Sequence, residues 1–263
     1  SGFGELYNMR EERKKGKKKG IYTILMLICA VVFLFALYKV VDILMEYKQI
    51  DDFYDGAQEE YVDLDSQGRV NDILLSSLIA ENSDVKGWIY IEDTEISYPI
   101  LQGPNNQYYL YRAYNKQYLG AGSIFLESLN SPDFTDSHTI IFGHNMHNGS
   151  MFGQLDKFFD EEYRNDHSHV YIKLPDGTWN VYEIFAMYTA GIEDGTFVVF
   201  DENQTEYDNY LALIQEKNVY QSTQPPSDGE RILTLSTCTE DSDDYKRNVI
   251  QAKFVENVEK ITY

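Results

Sequence analysis

The chain has 263 residues, of which 43% are hydrophobic and 14% aromatic, so it can bury a core and is not intrinsically disordered. Its formal net charge of −21 repels polyanions, which excludes nucleic acid as a partner. The length fits one core domain with a short additional segment.

The N-terminal segment joins a basic cluster to an apolar run. Residues 1–20 carry seven Lys and Arg side chains, and an uncharged run, 21–38, follows directly. This run is close to the roughly 20 residues that cross a bilayer, so we predict a transmembrane signal anchor at 21–41. Because positive charge is retained in the cytoplasm, we expect a single pass with residues 1–20 inside and the remainder outside the cell.

A cleavable signal peptide is the competing interpretation of this segment. Its apolar region is usually about 7–15 residues long and ends in a small-x-small site, and the sequence has neither feature. Residues 1–8 precede Met9, and we expect Met9 to be the natural start, with 1–8 a non-native extension.

Two regions are predicted after the anchor. Residues 42–80 mix charged and apolar positions at helical spacing, which indicates an N-terminal helical region and linker. From 81 to 263, short runs of β-branched and aromatic residues alternate with turn signals, which favours a mainly β domain folded as a closed barrel or sandwich. The predicted strands are Gly87–Ile91, Ile96–Leu101, Gly122–Leu126, His138–Gly143, His169–Leu174, Trp179–Thr189, Arg231–Ser236 and Asn248–Val255.

One helix is predicted within the β domain, at 205–218, where Tyr207, Tyr210, Leu211 and Ile214 share a face. The sequence has no glycine-rich phosphate loop, so no nucleotide cofactor is expected.

The chain contains two cysteines, and only one lies on the predicted exported side. Cys29 falls within the anchor, which leaves Cys238 without an intramolecular disulfide partner. Such a cysteine is an inert buried residue, an intermolecular bridge or a reactive thiol.

Three polar residues are predicted at one rim of the sheet. An alternating strand delivers Cys238 to its end, and the next strand begins near Arg247, so a hairpin connection brings the two together. A second apolar strand ends at Phe142-Gly-His144-Asn. A thiol, an imidazole and a guanidinium at one mouth would suit nucleophilic catalysis.

Each of these residues also has a structural interpretation. Cys238 could be a buried small hydrophobe, and Arg247 a solvated charge that faces Asp241, Asp243 and Asp244. His144 and His147 could bind zinc, although zinc would need two further ligands, so we predict no metal site. The sequence gives no role to the remaining histidines, which we expect at the surface or at strand edges: His138, His167 and His169.

The segment Thr234-Leu-Ser-Thr-Cys238, with a following arginine and the upstream Phe142-Gly-His144-Asn, resembles the active-site signature of the sortases, cysteine transpeptidases of Gram-positive bacteria. Other segments resemble class B sortases: Asn82-Ser-Asp-Val-Lys-Gly-Trp, Tyr98-Pro-Ile-Leu-Gln-Gly and Gly122-Ser-Ile-Phe-Leu. The resemblance implies an eight-stranded β-barrel with N-terminal helices and an inserted helix before the cysteine-bearing strand.

The resemblance also implies an activity. A class B sortase would cleave a C-terminal sorting motif, of the Asn-Pro-x-Thr-x type, after its Thr through a thioester on Cys238. It would then transfer the surface protein to an amine of the peptidoglycan precursor, without a cofactor. His144 would be the acid and base and Arg247 the electrostatic partner, and four residues would contact the substrate: Asn106, Leu110, Ser236 and Thr237.

Three alternatives remain at this point. A pilin-polymerising sortase would share the triad and accept a pilin Lys amine. A membrane-tethered binding module with an inert cysteine would be no enzyme. A papain-like protease is disfavoured, because there the cysteine usually precedes the histidine, whereas here the order is reversed.

Overall fold

The computed structural model describes residues 2–200, 204–227, 229–238 and 245–263, without the side chains of residues 2–19 and of Cys238. It divides into two compact units, Ser1–Gln49 and Ile50–Tyr263. The helices found in these described parts of the chain are α1 Gly2–Tyr61, α2 Leu75–Glu81, a 3-10 helix Leu155–Phe159, α3 Glu161–Asp166 and α4 Gln204–Lys217.

The first unit consists of the N-terminal part of α1. Its apolar side chains from Ile21 to Met45 are largely exposed, and by length and composition the helix could cross a membrane. The predicted anchor, 21–41, lies within this stretch. Its use as an anchor and its orientation stay predictions.

The last three turns of α1 belong to the second unit and pack against it. Ile50, Tyr54, Ala57 and Tyr61 are all buried, at spacings of three and four residues that place them on one helical face. The hydroxyl of Tyr54 also donates to the carbonyl oxygen of Gly122, at 2.5 Å. This part of α1 is therefore an integral element of the folded domain.

A short hairpin follows α1, where the sequence predicts a helical region and linker for residues 42–80. Strands β1 Val62–Leu64 and β2 Val70–Ile73 pair antiparallel before α2 begins. Short strands are hard to find by periodicity because three or four residues fit a helical pattern equally well.

A closed barrel of eight strands occupies the described part of the second unit. In chain order the strands are β3 Val85–Tyr90, β4 Ser97–Leu101, β5 Ile124–Leu126, β6 His138–Phe142, β7 His169–Lys173, β8 Trp179–Gly191, β9 Ile232–Cys238 and β10 Lys246–Val258. Around the barrel the order is β10, β8, β7, β3, β4, β5, β6, β9. All eight predicted strands are found, and the barrel closes as expected.

Helix α4 is the inserted helix predicted before the cysteine-bearing strand. Its buried face carries Tyr207, Tyr210 and Ile214, and it packs on β8, β9 and β10 through an apolar cluster that includes Phe185 and Val249. The 3-10 helix and α3 between β6 and β7 were not predicted, because each spans less than two helical turns.

Two strand pairings determine which residues meet at the end of the barrel. Strand β9 lies between β6, to which it is parallel, and β10, to which it is antiparallel. The ends of β6 and β9 and the start of β10 therefore meet at one rim of the barrel, and this rim carries the three residues singled out in the sequence.

Candidate active site

Cys238 and Arg247 are direct neighbours across two strands. Strand β9 ends at Cys238, β10 begins one residue before Arg247, and the two Cα atoms are register partners in the antiparallel ladder. Directly opposed residues in such a ladder point to the same face of the sheet. Arg247 is half-buried as a residue, and its guanidinium donates from Nη1 to the carbonyl oxygen of Lys246, at 2.8 Å.

His144 reaches the same rim from the other neighbour of β9. Phe142 is the register partner of Ser236, and the amide of Gly143 donates to the carbonyl oxygen of Ser236 at 3.1 Å. His144 and Cys238 each lie two residues beyond that pair along their own segments, so both follow the paired strands to the same rim of the barrel. The structure thus brings together the backbones of all three residues at the rim.

A backbone carbonyl orients the ring of His144. Its Nε2 lies 2.7 Å from the carbonyl oxygen of Leu110, and the ring of Tyr111 lies against it with centroids 5.6 Å apart. A carbonyl oxygen only accepts, so Nε2 carries the hydrogen, and Nδ1 holds the lone pair when the ring is neutral. The contact therefore selects one tautomer of His144.

The surroundings of His144 favour its neutral form. Burial lowers the pKa of His144, the nearby charge of Arg247 lowers it further, and the hydrogen bond to Leu110 opposes both effects. The net shift is downward. At neutral pH the imidazole is consequently a base with a free Nδ1 lone pair, and it can become an acid only after it takes up a proton.

Gly122 lies close against the carbonyl of Leu110 and leaves it room. Gly122 has φ +59, and a Cβ atom there would overlap the carbonyl oxygen of Leu110. The backbone amide of Ser123 donates to the carbonyl oxygen of Tyr109, at 3.0 Å. The hydroxyl of Tyr54, on α1, donates to the carbonyl oxygen of Gly122. Only glycine fits this position, because of both its backbone conformation and the space available.

Gly143 is a second glycine that the site requires. A Cβ atom at Gly143 would overlap the side chains of Ile124 and Phe152. The Phe142-Gly-His144 motif therefore carries the chain closely over the core before it presents the imidazole.

The predicted substrate contacts Asn106 and Leu110 lie in the long connection between β4 and β5. The amide of Asn106 donates to the carboxylate of Glu127, and its oxygen accepts from the amide of Ser128 at 2.8 Å. Leu110 is half-buried against the core, and its carbonyl binds His144. Both residues thus have structural partners of their own, and their contact with substrate stays a prediction.

Ser236 and Thr237 both have spare hydrogen-bonding capacity. Each is about 1% exposed, and neither hydroxyl has a hydrogen-bond partner among the described residues. Strand alternation places Ser236 on the same face as Cys238 and Thr237 on the opposite face. A buried hydroxyl without a partner is unfavourable, which makes Ser236 a candidate to bind an incoming polar group.

Among the histidines that were expected at the surface or at strand edges, His138 was predicted wrongly. It is fully buried beneath α4, where its ring lies 4.5 Å from that of Tyr210. His167 and His169 are half-buried. The prediction failed for His138 because hydrogen-bond partners from distant parts of the chain, Val198 and Thr234, make burial of the ring tolerable.

Sequence reasoning missed two features of the site. The Leu110 carbonyl that orients His144 is a backbone atom, which any residue type would supply, so no sequence signal could have identified it. The ring of Tyr111 beside His144 lies in a segment with five tyrosines, 108–118, in which periodicity does not distinguish one from another. The acidic residues that could pair with Arg247 (Asp241, Asp243 and Asp244) lie outside the described residues.

Comparison with known proteins gives concordant results. Residues 89–255 match the family model of the sortase domain. Sortase B of Listeria monocytogenes is 38% identical over 229 residues, which cover 85% of this chain and 92% of that protein. Sortase B of Staphylococcus aureus is 28% identical over 241 residues, which cover 91% of this chain and 98% of that protein. The crystal structure of sortase B from Bacillus anthracis in complex with AAEK1 superposes with a TM-score of 0.69 at 32% identity, over 81% of this chain and 99% of that one.

Proposed function

Because the chain belongs to class B of the sortase family, whose members are cysteine transpeptidases, we propose that it cleaves a C-terminal sorting motif after Thr and transfers the protein to a peptidoglycan-precursor amine. Sortases act on surface proteins that carry a sorting motif and on cell-wall precursors. The observation that best supports the catalytic assignment is the strand register, which pairs Cys238 with Arg247 and directs the segment of His144 to the same rim.

The first half of the reaction is acyl transfer to the enzyme. The Cys238 thiol gives its proton to Nδ1 of His144, and its sulfur attacks the carbonyl carbon of the motif's Thr. The guanidinium of Arg247, which is always charged and offers several donors, stabilises the oxyanion that forms. When the C–N bond breaks, the imidazolium protonates the departing amine, and a thioester on Cys238 remains.

The second half reverses the roles. An incoming amine attacks the thioester carbon, Nδ1 of His144 takes the proton that the amine loses, and the C–S bond breaks. The hydrogen bond from Nε2 to Leu110 supports this assignment, because it leaves Nδ1 as the atom that exchanges protons throughout.

Ser236 is the best supported of the four proposed substrate contacts. Its buried hydroxyl lies two residues before Cys238 on the same face of β9 and has no partner within the described parts of the chain. A peptide group of the sorting motif would satisfy it. Asn106, Leu110 and Thr237 remain proposed contacts, and Thr237 has the weakest support because its side chain belongs to the opposite face.

Sortases are enzymes of the cell envelope, and a membrane anchor fits this chain. We propose that residues 21–41 span the membrane once, with the basic N-terminus in the cytoplasm and the catalytic domain outside. The seven basic residues of 1–20 support this orientation. The anchor would then hold the enzyme at the surface where precursor lipids and secreted proteins meet.

The test is a peptide assay by mass spectrometry on the full-length chain in detergent. Asn-Pro-x-Thr-x peptides are offered alone, with a short peptide amine that mimics the precursor, or with a Lys side-chain amine. We expect cleavage after Thr and a ligation product with the precursor mimic. Preference for the Lys amine would favour the pilin-polymerising alternative, and no cleavage of any sorting peptide would contradict the proposal.

Two matched variants assign the nucleophile. Cys238→Ala should abolish cleavage and leave the thermal melt nearly unchanged, because removal of one sulfur creates little cavity. Cys29→Ala, which removes the other cysteine, should retain full activity. Cleavage by Cys238→Ala would refute the assignment.

A further inference from the structure

A buried polar cluster lies behind the active site, and the reaction described above does not use it. It consists of His138 on β6, Tyr188 on β8, Tyr210 on α4, Thr234 on β9 and Gln251 on β10. Each of these side chains is at most 3% exposed. Such a cluster is costly to bury unless its members are hydrogen-bonded to one another or to the backbone.

Backbone carbonyls, which only accept, fix the direction of two hydrogen bonds of the cluster. Nδ1 of His138 lies 2.6 Å from the carbonyl oxygen of Val198, which only accepts, so Nδ1 carries the hydrogen. The hydroxyl of Thr234 lies 2.7 Å from Nε2 of the ring and donates to Oε1 of Gln251, at 2.8 Å. The hydroxyl of Tyr210 donates to the carbonyl oxygen of Thr196, at 3.0 Å, and accepts from the amide of Gln251.

Two of these bonds hold the connection between β8 and α4. The carbonyls of Thr196 and Val198 both accept from the cluster, so the backbone is fixed on either side of Phe197. The half-buried ring of Phe197 lies over Phe142, with centroids 6.1 Å apart. We call residues 196–198 the anchored segment.

The anchored segment stands beside the active site. Phe142 is two residues before His144, and its register partner Ser236 is two residues before Cys238. The ring of Phe197 therefore adjoins the strand pair that presents both proposed catalytic residues. A segment at this position borders the space into which a peptide must enter to reach Cys238.

We propose that His138 is a positioning residue, which through its Nδ1 hydrogen fixes the anchored segment as a preformed wall of the peptide-binding groove. The inference rests on the proposed function for the location of that groove. Preformed walls lower the entropic cost of binding, because the loop need not be ordered by the substrate. His138 should therefore affect the binding of sorting peptide, and not the intrinsic reactivity of the thiol.

Two substitutions at His138 separate its hydrogen bond from its bulk. His138→Phe keeps an aromatic ring and loses the donor to Val198, whereas His138→Asn keeps an N–H close to the position of Nδ1 and loses the ring volume. Tyr210→Phe removes the second anchor, the bond to Thr196. Tyr182→Phe is the matched control, because the Tyr182 hydroxyl is buried without a hydrogen-bond partner among the described residues.

The measurements use the full-length chain with Cys29→Ala in detergent. In His138→Phe and Tyr210→Phe we expect faster amide hydrogen exchange at residues 192–200. We also expect KM for an Asn-Pro-x-Thr-x peptide to rise about fivefold or more, the equivalent of one neutral hydrogen bond, with kcat within about twofold. The rate of Cys238 alkylation by iodoacetamide should stay unchanged. His138→Asn should restore most of the exchange protection and most of the low KM of the parent. Tyr182→Phe should match the parent.

The outcomes are distinguishable. Unchanged exchange and KM in His138→Phe would overturn the proposal, as would a His138→Asn variant that is as impaired as His138→Phe, since ring packing would then be the cause. If the parent cleaves no sorting peptide, the proposed function fails. The exchange rates at residues 192–200 would still test the anchor by themselves.

Discussion

The carbonyl oxygen of Leu110 accepts a hydrogen bond from Nε2 of His144 at 2.7 Å, and this contact joins the long β4–β5 connection to the proposed acid and base. In many triads a carboxylate holds the imidazole and also stabilises its cation. A neutral carbonyl fixes the tautomer equally well but stabilises the cation less. Burial and the charge of Arg247 lower the pKa of His144, and the opposing effect of the carbonyl is too weak to reverse the shift.

The first prediction concerns Gly122, which leaves room for the Leu110 carbonyl. Gly122→Ala would push that carbonyl away from His144, so we expect kcat to fall about tenfold or more, an effect of misorientation in the range known for displaced catalytic groups. Steady-state peptide cleavage measures this loss.

Gly68→Ala is the matched control for this prediction. Gly68 also has a positive φ, of +80, but a Cβ atom there would meet no atom within 4 Å. Both variants should lose about 1–3 kcal/mol of stability from backbone strain, and only Gly122→Ala should lose turnover in addition. Equal turnover in the two variants would show that the Leu110 contact is dispensable.

The second prediction concerns the shape of the Arg247 side chain. Arg247→Lys keeps the charge but loses the planar fork, so its barrier should rise by about 2.7–4 kcal/mol if one oxyanion donor is lost, and Arg247→Ala should be worse. Steady-state kinetics measure the loss of turnover, and thermal melts of the same variants measure any loss of stability. If Arg247 only paired with surface carboxylates, either variant would lose under about 1 kcal/mol of stability and keep its turnover.

The third prediction concerns the pKa of His144. The cation of Arg247 disfavours the imidazolium, so its removal in Arg247→Ala should raise the pKa of His144 toward its usual value of 6.5. An NMR titration of the ring protons measures the change, with His144→Asn to identify the signal. A pKa that is unchanged or lower in Arg247→Ala would show that the guanidinium does not act on this imidazole.

The fourth prediction concerns where the proposed anchor in α1 ends and the folded domain begins. Deletion of residues 1–49 should give a soluble protein that still cleaves peptide, since the second compact unit begins at Ile50. Deletion of residues 1–61 removes the buried face of Ile50, Tyr54, Ala57 and Tyr61. Each large side chain contributes roughly 1.5–3 kcal/mol, so this shorter protein should melt far lower or fail to fold. Equal melts of the two truncations would contradict this boundary.

The fifth prediction concerns acid stability. Burial lowers the pKa of His138 to about 4, whereas the unfolded chain binds the proton near 6.5. Between these values the unfolded state binds more protons, so the stability present above pH 6.5 is lost as the pH falls toward 4, by about 3 kcal/mol in total. Urea unfolding at pH 7.5 and 4.5 should therefore show a smaller acid loss in His138→Phe than in the parent. Identical losses would show that His138 does not titrate with unfolding.

The sequence by itself determined the barrel strands, the inserted helix and the three residues proposed for catalysis. Alternating apolar residues and flanking turn signals predict strands from local sequence. The end of a strand can be predicted where polar residues such as Thr237 and Cys238 follow an apolar run. The adjacency of Cys238 and Arg247 could also be predicted, because consecutive strands joined by a hairpin must pair.

Only the tertiary structure decided the contacts between residues that are distant along the chain. The parallel pairing of β6 with β9 directs the segments of His144 and Cys238 to the same rim, and parallel register leaves no mark in a single sequence. The Leu110 carbonyl, the space left by Gly122 and the burial of His138 depend on backbone atoms and on partners up to 96 residues away. Side-chain periodicity reports the burial of a face, whereas hydrogen bonds to backbone carbonyls depend on the path of the whole chain.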